Sequence, residues 1–413
     1  MEAALPKGGD RLAAYSLFAA VLSGAGLPIY IYAPKYYADT YGVSLAALAA
    51  VLFALRLFDV VQDPVLGWIS ERLGALRKLA VAAGAAVLAL SMVGLFGVAP
   101  PIAPLWWFGL TITGLFTAFS FLTINFYAQG VSKAGSISGG HTRVAAWRET
   151  GALLGVCVAA VTPTLLDGLV AAPFAAFAAG FAGVTIIAAF LMAPEWSGRV
   201  EHDPTPVGII LKDTTARRLL LLALVNATPL AVSSTLFLFY VEIRLGAPGW
   251  EGPLLVLFFL AAAASAPVWA RLATAWGEKR ALLLAMIMAI ASFGCVMFLG
   301  QGDVWIFAVI CIASGATIGA DLTLLPALFS RRMAVISPNG GQGFGLWSLV
   351  SKFTLAFAAA ILLPVLEAQG FNTGAEDNPQ IALTTLTVLY ALVPCALKLV
   401  AIGLLLATPL KEE

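Results

Sequence analysis

The chain has 413 residues, 61% hydrophobic and 11% charged, with a mean hydropathy of +0.95. A soluble domain of that composition could not cover itself with polar groups, so the bilayer is its solvent. Lys and Arg number 23 against 22 Asp and Glu, and the net charge of +1 leaves neither a basic face for nucleic acid nor an acidic tail.

A spanning helix needs about 20 mainly apolar residues. Twelve such runs follow one another at 12–34, 44–69, 79–99, 104–129, 147–166, 172–193, 218–241, 252–272, 281–300, 304–328, 343–366 and 385–408. A β-barrel would alternate apolar and polar residues, whereas stretches such as Leu45 to Leu55 are apolar on nearly every face. The first run is too long for a cleavable signal, and Gly24, Gly26 and Pro28 interrupt it. The longest polar stretch, about 194–218, falls between the sixth and seventh runs. It divides the chain into an N-terminal six-helix bundle (1–194), a cytoplasmic linker (195–217) and a C-terminal six-helix bundle (218–413). Cys157, Cys295, Cys311 and Cys395 lie inside apolar runs with no CxxC or Cys/His spacing, which argues against disulfides and zinc.

Positive residues stay cytoplasmic when they lie in short loops. With both termini inside, 18 of the 23 Lys and Arg fall on the cytoplasmic side, only Lys35 and Arg244 lie outside, and Arg56, Lys352 and Lys398 remain within the membrane. A degenerate repeat supports two related halves: Pro64, Val65, Gly74 and Arg77 recur 203 positions later as Pro267, Val268, Gly277 and Arg280. Parallel six-helix repeats about a midplane site are the architecture of one large class of secondary transporters. The expected fold class is therefore an all-α integral membrane protein of twelve transmembrane helices in two pseudo-symmetric six-helix bundles.

Ionisable groups inside the hydrocarbon are costly and mark functional sites. Arg56, Asp59 and Asp63 in the second run stand at i, i+3 and i+7, within about 60° of one another around a helix. The repeat equivalents of the two acids are Ala262 and Ala266, so the carboxylates are not part of the common scaffold. The second half instead carries Lys352 in its eleventh run at similar depth, and an ion pair across the halves would hide both charges. Two carboxylates beside one amine form a proton or cation site of adjustable occupancy. Asp321 can join this network or reach the inner interface, and Lys398 can snorkel or cap a bundle contact.

Four stretches carry a resemblance. The loop residues Gly67, Glu71, Arg72, Gly74, Arg77 and Lys78 resemble the motif between helices two and three of the major facilitator superfamily. The stretch Arg56-Leu-Phe-Asp59-Val-Val-Gln-Asp63-Pro64-Val-Leu-Gly67 resembles the second-helix signature of its glycoside-pentoside-hexuronide:cation symporter branch, the melibiose-permease-like proteins. Tyr36-Tyr37-Ala-Asp39-Thr-Tyr-Gly42-Val-Ser44 is similar to that branch's first outer loop, and Lys352-Phe-Thr-Leu-Ala-Phe-Ala-Ala to its lysine-bearing eleventh helix.

The resemblance implies a cation-coupled symporter in the bacterial inner membrane, with Asp59 and Asp63 as cation ligands and Lys352 and Arg56 as coupling charges. Asn125 stands where sodium users of the family supply a fourth-helix carboxylate, which favours H⁺ over Na⁺ as coupling ion. The first helix has no acid where galactoside transporters bind sugar, and the aligned neighbourhood is Val21 to Gly24. Substrate contacts are then expected from Ser23, Tyr30, Gln129, Arg148, Glu149, Trp347 and Ser348, with Arg148 and Glu149 alternatively a mutual pair at the membrane edge. A glycoside or sugar acid is the leading substrate class, a lysophospholipid or other amphiphile the alternative, and passive facilitation a rival mode. His141 and His202 fall in loops, and no HExxH, GxSxG or Walker constellation appears, so neither an enzyme nor a primary pump is expected. No cofactor beyond the ion and no partner beyond substrate and bilayer are expected, and the protein should be a monomer.

Overall fold

The computed structural model describes residues 11–138, 140–197, 205–371 and 378–409, with side chains except at 27–31, 45, 56, 60, 197, 355, 356, 359, 360 and 363. Among the described residues all regular structure is helical. Nine helical stretches among the described residues are long and apolar enough to cross a membrane by length and composition alone. The remaining crossings are α3 (Leu45–Arg72), α13 (Gly341–Ala368), and the pair α1 (Leu12–Gly24) and α2 (Leu27–Tyr41). Each of the first two has 28 residues, about 42 Å at the helical rise and more than the hydrocarbon needs.

The first crossing is broken where the sequence places Gly24, Gly26 and Pro28: α1 stops at Gly24, and α2 restarts with proline in its first turn. Such a break is tolerated in a membrane only where protein or a cavity covers the freed backbone. Here α1 lies on α6 (Gly140–Leu166) at very short range. A Cβ at Gly151 would fall 2.1 Å from the Ser16 carbonyl oxygen, and one at Gly155 2.2 Å from that of Ala20, so only glycine fits either position.

The other first-half crossings are α4 (Arg77–Phe96), α5 (Pro104–Ala134) and α7 (Pro173–Met192). A short helix α8 (Val207–Lys212) stands within the expected linker. Asp213 then caps the N-terminus of α9 (Thr214–Phe239) by accepting from Ala216 N at 2.7 Å. The second half continues through α10 (Glu251–Trp276), α11 (Glu278–Gly294) and α12 (Val304–Ile336) to α13, and its last crossing is α14 (Gln380–Thr387) running through a π turn into α15 (Val393–Ala407). The repeat survives as geometry, since Gly74 and Gly277 both follow the second crossing of their half with φ of +46° and +91°, where a side chain would be strained. Several helices outrun their apolar stretches: α6 starts at 140 rather than 147, and α12 ends at 336 rather than 328. Hydropathy marks the hydrocarbon, whereas the helices continue into polar surroundings.

One apolar core draws only on residues 12–196, and two others, Val131 and Tyr127 apart, only on residues from 210 onward. The outside is apolar as lipid requires, with Phe298 at 86% exposure. The end of the molecule holding the 73–76 turn, the α8 segment and the 337–340 turn carries most of the Lys and Arg and is called the basic end below.

Candidate functional site

Helices α3 and α13 cross between the halves as antiparallel neighbours, and their register follows from small residues. A Cβ on Gly67 would lie 2.8 Å from the Gly341 carbonyl oxygen, and one on Gly345 3.0 Å from that of Asp63. The backbones therefore touch at 67/341 and 63/345. Along α13, positions 341, 345, 348 and 352 lie on one face, as do 59, 63 and 67 along α3. That register brings Lys352 to Asp59 and Ser348 to Asp63. Lys352 stands 11 residues into α13, about 16 Å from its start, which is mid-membrane depth.

The Lys352 ammonium spends its three donors fully. It lies 3.0 Å from both oxygens of Asp63, 3.2 Å from Oδ2 of Asp59, and donates to Ser120 Oγ at 2.6 Å. Ser348 donates to Asp63 Oδ2 at 2.6 Å. Asp63 is fully buried, Asp59 4% exposed, and the lysine side chain 12%. Two carboxylates meet one ammonium here, and burial in hydrocarbon makes each of these charges expensive unless it is paired. The Arg56 and Tyr30 side chains lie outside the described residues.

Ser120, on α5, is the member that the sequence did not reveal; nothing distinguishes its hydroxyl from those of its helical neighbours. Asn125 is not brought to this cluster. Its Oδ1 accepts from Ser70 at 2.8 Å and its Nδ2 donates to Phe121 O at 2.8 Å. Ser70 is seven residues beyond Asp63, about 10 Å toward the basic end. Gln62, beside the stripe, accepts from Thr117 of α5 at 3.0 Å, and its Nε2 is buried without a partner.

A second buried group joins Arg148 and Glu149 of α6 to Tyr127 of α5. Arg148 Nε donates to Glu149 Oε1 at 2.7 Å, Tyr127 OH donates to the same oxygen at 3.0 Å, and the guanidinium stacks 3.7 Å above the tyrosine ring. Arg148 and Glu149 are 4% and 6% exposed, so they form a mutual pair buried among the helices. Arg148 Nη2 has no partner. Gln129 is also buried on α5, while Ser23 sits beside the α1–α2 break, its carbonyl accepting from Gly26 N. Trp347 packs on Phe329, with ring centres 4.9 Å apart, inside the second half's core.

Asp321 joins neither the triad nor the inner interface. It pairs with Lys398 of α15, whose ammonium also donates to Asn226 Oδ1 of α9 at 2.7 Å. All three are buried, so Lys398 makes a contact within its bundle and does not snorkel. A cavity of about 70 Å³ adjoins them, lined also by Ser233, Ser314 and Thr317.

The halves are locked together between the triad and the basic end. Glu71 accepts from the backbone N–H groups of Gln342 at 2.8 Å and Thr205 at 2.9 Å, stitching α3 to the start of α13 and to the linker. Glu278 takes the Thr142 hydroxyl and Arg331 at 2.8 Å, and His141 meets Ser330 at 2.8 Å. Arg332 pairs with Asp213, holding that carboxyl below its ordinary range, chiefly through their hydrogen bond. Away from this region a long thiol contact, 4.0 Å from Cys157 to Val256 O, also reaches between the halves.

A family model described as MFS/sugar transport protein matches residues 13–412. The chain belongs to that family. It is a multi-pass membrane transporter of the major facilitator superfamily and not an enzyme, and the match agrees with the melibiose-permease-like resemblance of its second and eleventh helices. Two solved structures of a bacterial homologue of the iron transporter ferroportin, both outward-facing and one soaked with iron, superpose on this transporter with TM-scores of 0.70 and 0.67. Each is 13% identical and covers 96% of this chain and 98% of its own, a likeness of fold alone. No curated protein matches the chain at a significant level.

Proposed function

We propose that this MFS transporter is a cation-coupled symporter of a small organic solute, working by alternating access between halves 1–194 and 218–413. The observation that carries the reading is the triad. Asp59 and Asp63 belong to one half and Lys352 to the other, so the ion pairs that hide these buried charges cross between the halves. A proton or Na⁺ arriving at the carboxylates competes with the lysine for them, so ion binding and movement of the halves draw on the same free energy. A facilitator has no need of such a group. H⁺ is the preferred ion, because the described oxygens around the triad include only two carboxylates and Asn125 is engaged elsewhere.

The basic end is taken as cytoplasmic by the positive-inside rule. Closure at that end then corresponds to an outward-facing state. Arg148, with one buried nitrogen unpartnered, together with Glu149, supports a polyhydroxylated or carboxylate-bearing solute such as a glycoside or sugar acid.

The test uses proteoliposomes with an imposed pH or Na⁺ gradient and a panel of glycosides, sugar acids and lysolipids. Uphill accumulation driven by the pH gradient in wild type, and lost in Asp63→Asn, supports the proposal. Accumulation unchanged in that variant, or equilibration without concentration, overturns it.

A further inference from the structure

The lock at the basic end contains a titratable group that the proposed coupling does not use. The sequence pattern places His141 in a loop, whereas it is the second residue of α6, in the segment 140–146 that precedes the apolar run from 147. Its Nδ1 shares a hydrogen bond of 2.8 Å with Ser330 Oγ of α12, across the interface between the halves. The imidazole is half-buried and Ser330 buried. The chain holds two histidines, and the other, His202, lies outside the described residues.

Charge around this position is mainly positive. Arg331 follows Ser330 on the opposite half, and the acid of that wall, Glu278 of α11, is paired with it at 2.8 Å and also takes the Thr142 hydroxyl. On the histidine's own helix Arg143 donates to Ser138 O at 3.2 Å and Oγ at 3.3 Å. Arg271 of α10 borders the cleft that Thr142 and Arg143 line, and on α5 Lys133 is paired with Glu195 at 3.1 Å. Burial and, next, the Arg331 guanidinium push the imidazole down to about 4. Both the cover and the like charge come from contact between the halves, so this penalty belongs to the closed lock and not to the helix itself.

We infer that His141 is a proton-binding site of this lock, separate from the triad, and that it fills as the halves part at the basic end. Parting takes the imidazole from Ser330 and Arg331 into water, where its affinity for a proton returns to the ordinary value of about 6.5. Above about pH 6.5 the ring is neutral in both states and favours neither. From there down to about pH 4 the open state holds the proton and the closed state does not, so acid at the basic end favours opening. From these two values the ratio of open to closed molecules should rise up to about tenfold between pH 7.5 and 5.5.

The inference rests on the movement of the halves proposed above and not on the coupling ion, so it stands even where uptake proves passive. By linkage, any solute that favours the state open at the basic end should also favour proton uptake at His141.

The experiment takes the full-length protein, without a histidine tag, in phosphatidylcholine nanodiscs. Spin labels are attached to cysteines placed at Leu76 and Trp276, exposed residues at the basic end of the two halves, after the exposed Cys295 is replaced by serine. Electron–electron double resonance then reads the label separation at pH 7.5 and 5.5. The population ratio of long to short separations is expected to rise up to about tenfold on acidification. H141Q keeps a polar partner for Ser330 but does not titrate, and should lose that share of the response. The triad carries acids of its own, so the pair is repeated with Asp63→Asn, where the difference between His141 and its glutamine variant should persist. A second measurement does not depend on replacing His141: in H202Q it is the chain's remaining histidine, and its ¹³C-imidazole NMR titration should fall below the ordinary range, moving back toward about 6.5 when Gly67→Ala forces the helix ends apart. Equal pH responses with and without His141, a response that disappears with Asp63→Asn alone, or titration at about 6.5 both with and without Gly67→Ala would each overturn the inference. Loss of uphill uptake with the His141 response intact would sink the coupling proposal and leave this one standing.

Discussion

Lys352→Ala is the sharpest probe of the triad. It removes the ammonium from two carboxylates 3.0 and 3.2 Å away and leaves them facing each other in a buried pocket. At 3.0 Å and an effective dielectric of about 20, the attraction lost to Asp63 alone is about 5 kcal/mol, an upper figure because the acids relax and water enters. Breaking a buried pair by deleting one partner costs about 3–5 kcal/mol in practice, much of it the penalty of an uncompensated charge. The variant should therefore melt several degrees lower in detergent. Lys352→Ala combined with Asp63→Asn removes charge from both sides and should recover more than half of the loss. Asp59→Asn alone leaves Lys352 paired with Asp63, so it should cost less stability than Lys352→Ala while abolishing uphill accumulation. The measurement is a double-mutant cycle of unfolding free energies with accumulation assayed on the same proteins. Lys352→Ala within about 1 kcal/mol of wild type, or its combination with Asp63→Asn no better than Lys352→Ala alone, would refute the charge argument.

Asp321→Asn should be as damaging as the triad variant, because it strands Lys398, 5% exposed, within its bundle; Asp321→Asn with Lys398→Met should return near wild type in thermal melting. Gly67→Ala places a methyl group 2.8 Å from the Gly341 carbonyl oxygen, so the helix ends at the basic end must part; maleimide labelling of a cysteine placed at Ser70, which is buried, should rise severalfold over the same cysteine in an otherwise wild-type chain. The Asp213 carboxyl is held below its ordinary range by Arg332, so the stability it contributes is present above about pH 4 and is lost as pH falls through the lower folded value. Tryptophan fluorescence in an acid titration should show a transition that Asp213→Asn removes.

The second-helix stripe was legible because charge in a 28-residue apolar helix is rare enough to be conspicuous and helical spacing fixes which residues share a face. The break in the first crossing was legible too, because Gly24, Gly26 and Pro28 are conformational signals. Three features were not. Ser120 carries no mark of its role, since a hydroxyl in a helix normally bonds its own backbone, as Thr111 and Thr113 do on the same helix. Asn125 was placed by resemblance at the cation site, but an amide with both donor and acceptor finds partners wherever the neighbouring helix offers them, and Ser70 offered one closer to the basic end. Asp321 and Lys398 are 77 residues apart, and periodicity says nothing about which buried acid meets which buried amine.

The two buried charge groups of the second half differ in a way that bears on coupling. Lys398 and Asp321 belong to the same bundle and sum to zero, so movement of the halves neither separates them nor changes their net charge. Lys352 reaches its acids only across the interface, 3.0 and 3.2 Å away, and has its third donor on Ser120, again in the first half. Separation of α3 from α13 therefore cannot occur with the triad unchanged. Either the lysine loses every partner at once, or an ion or proton has already taken its place at the carboxylates. The second route avoids stranding Asp63, which water does not reach. On the proposed symport reading, occupancy of the acids sets the cost of opening, and that dependence is what would couple movement of the halves to the ion gradient.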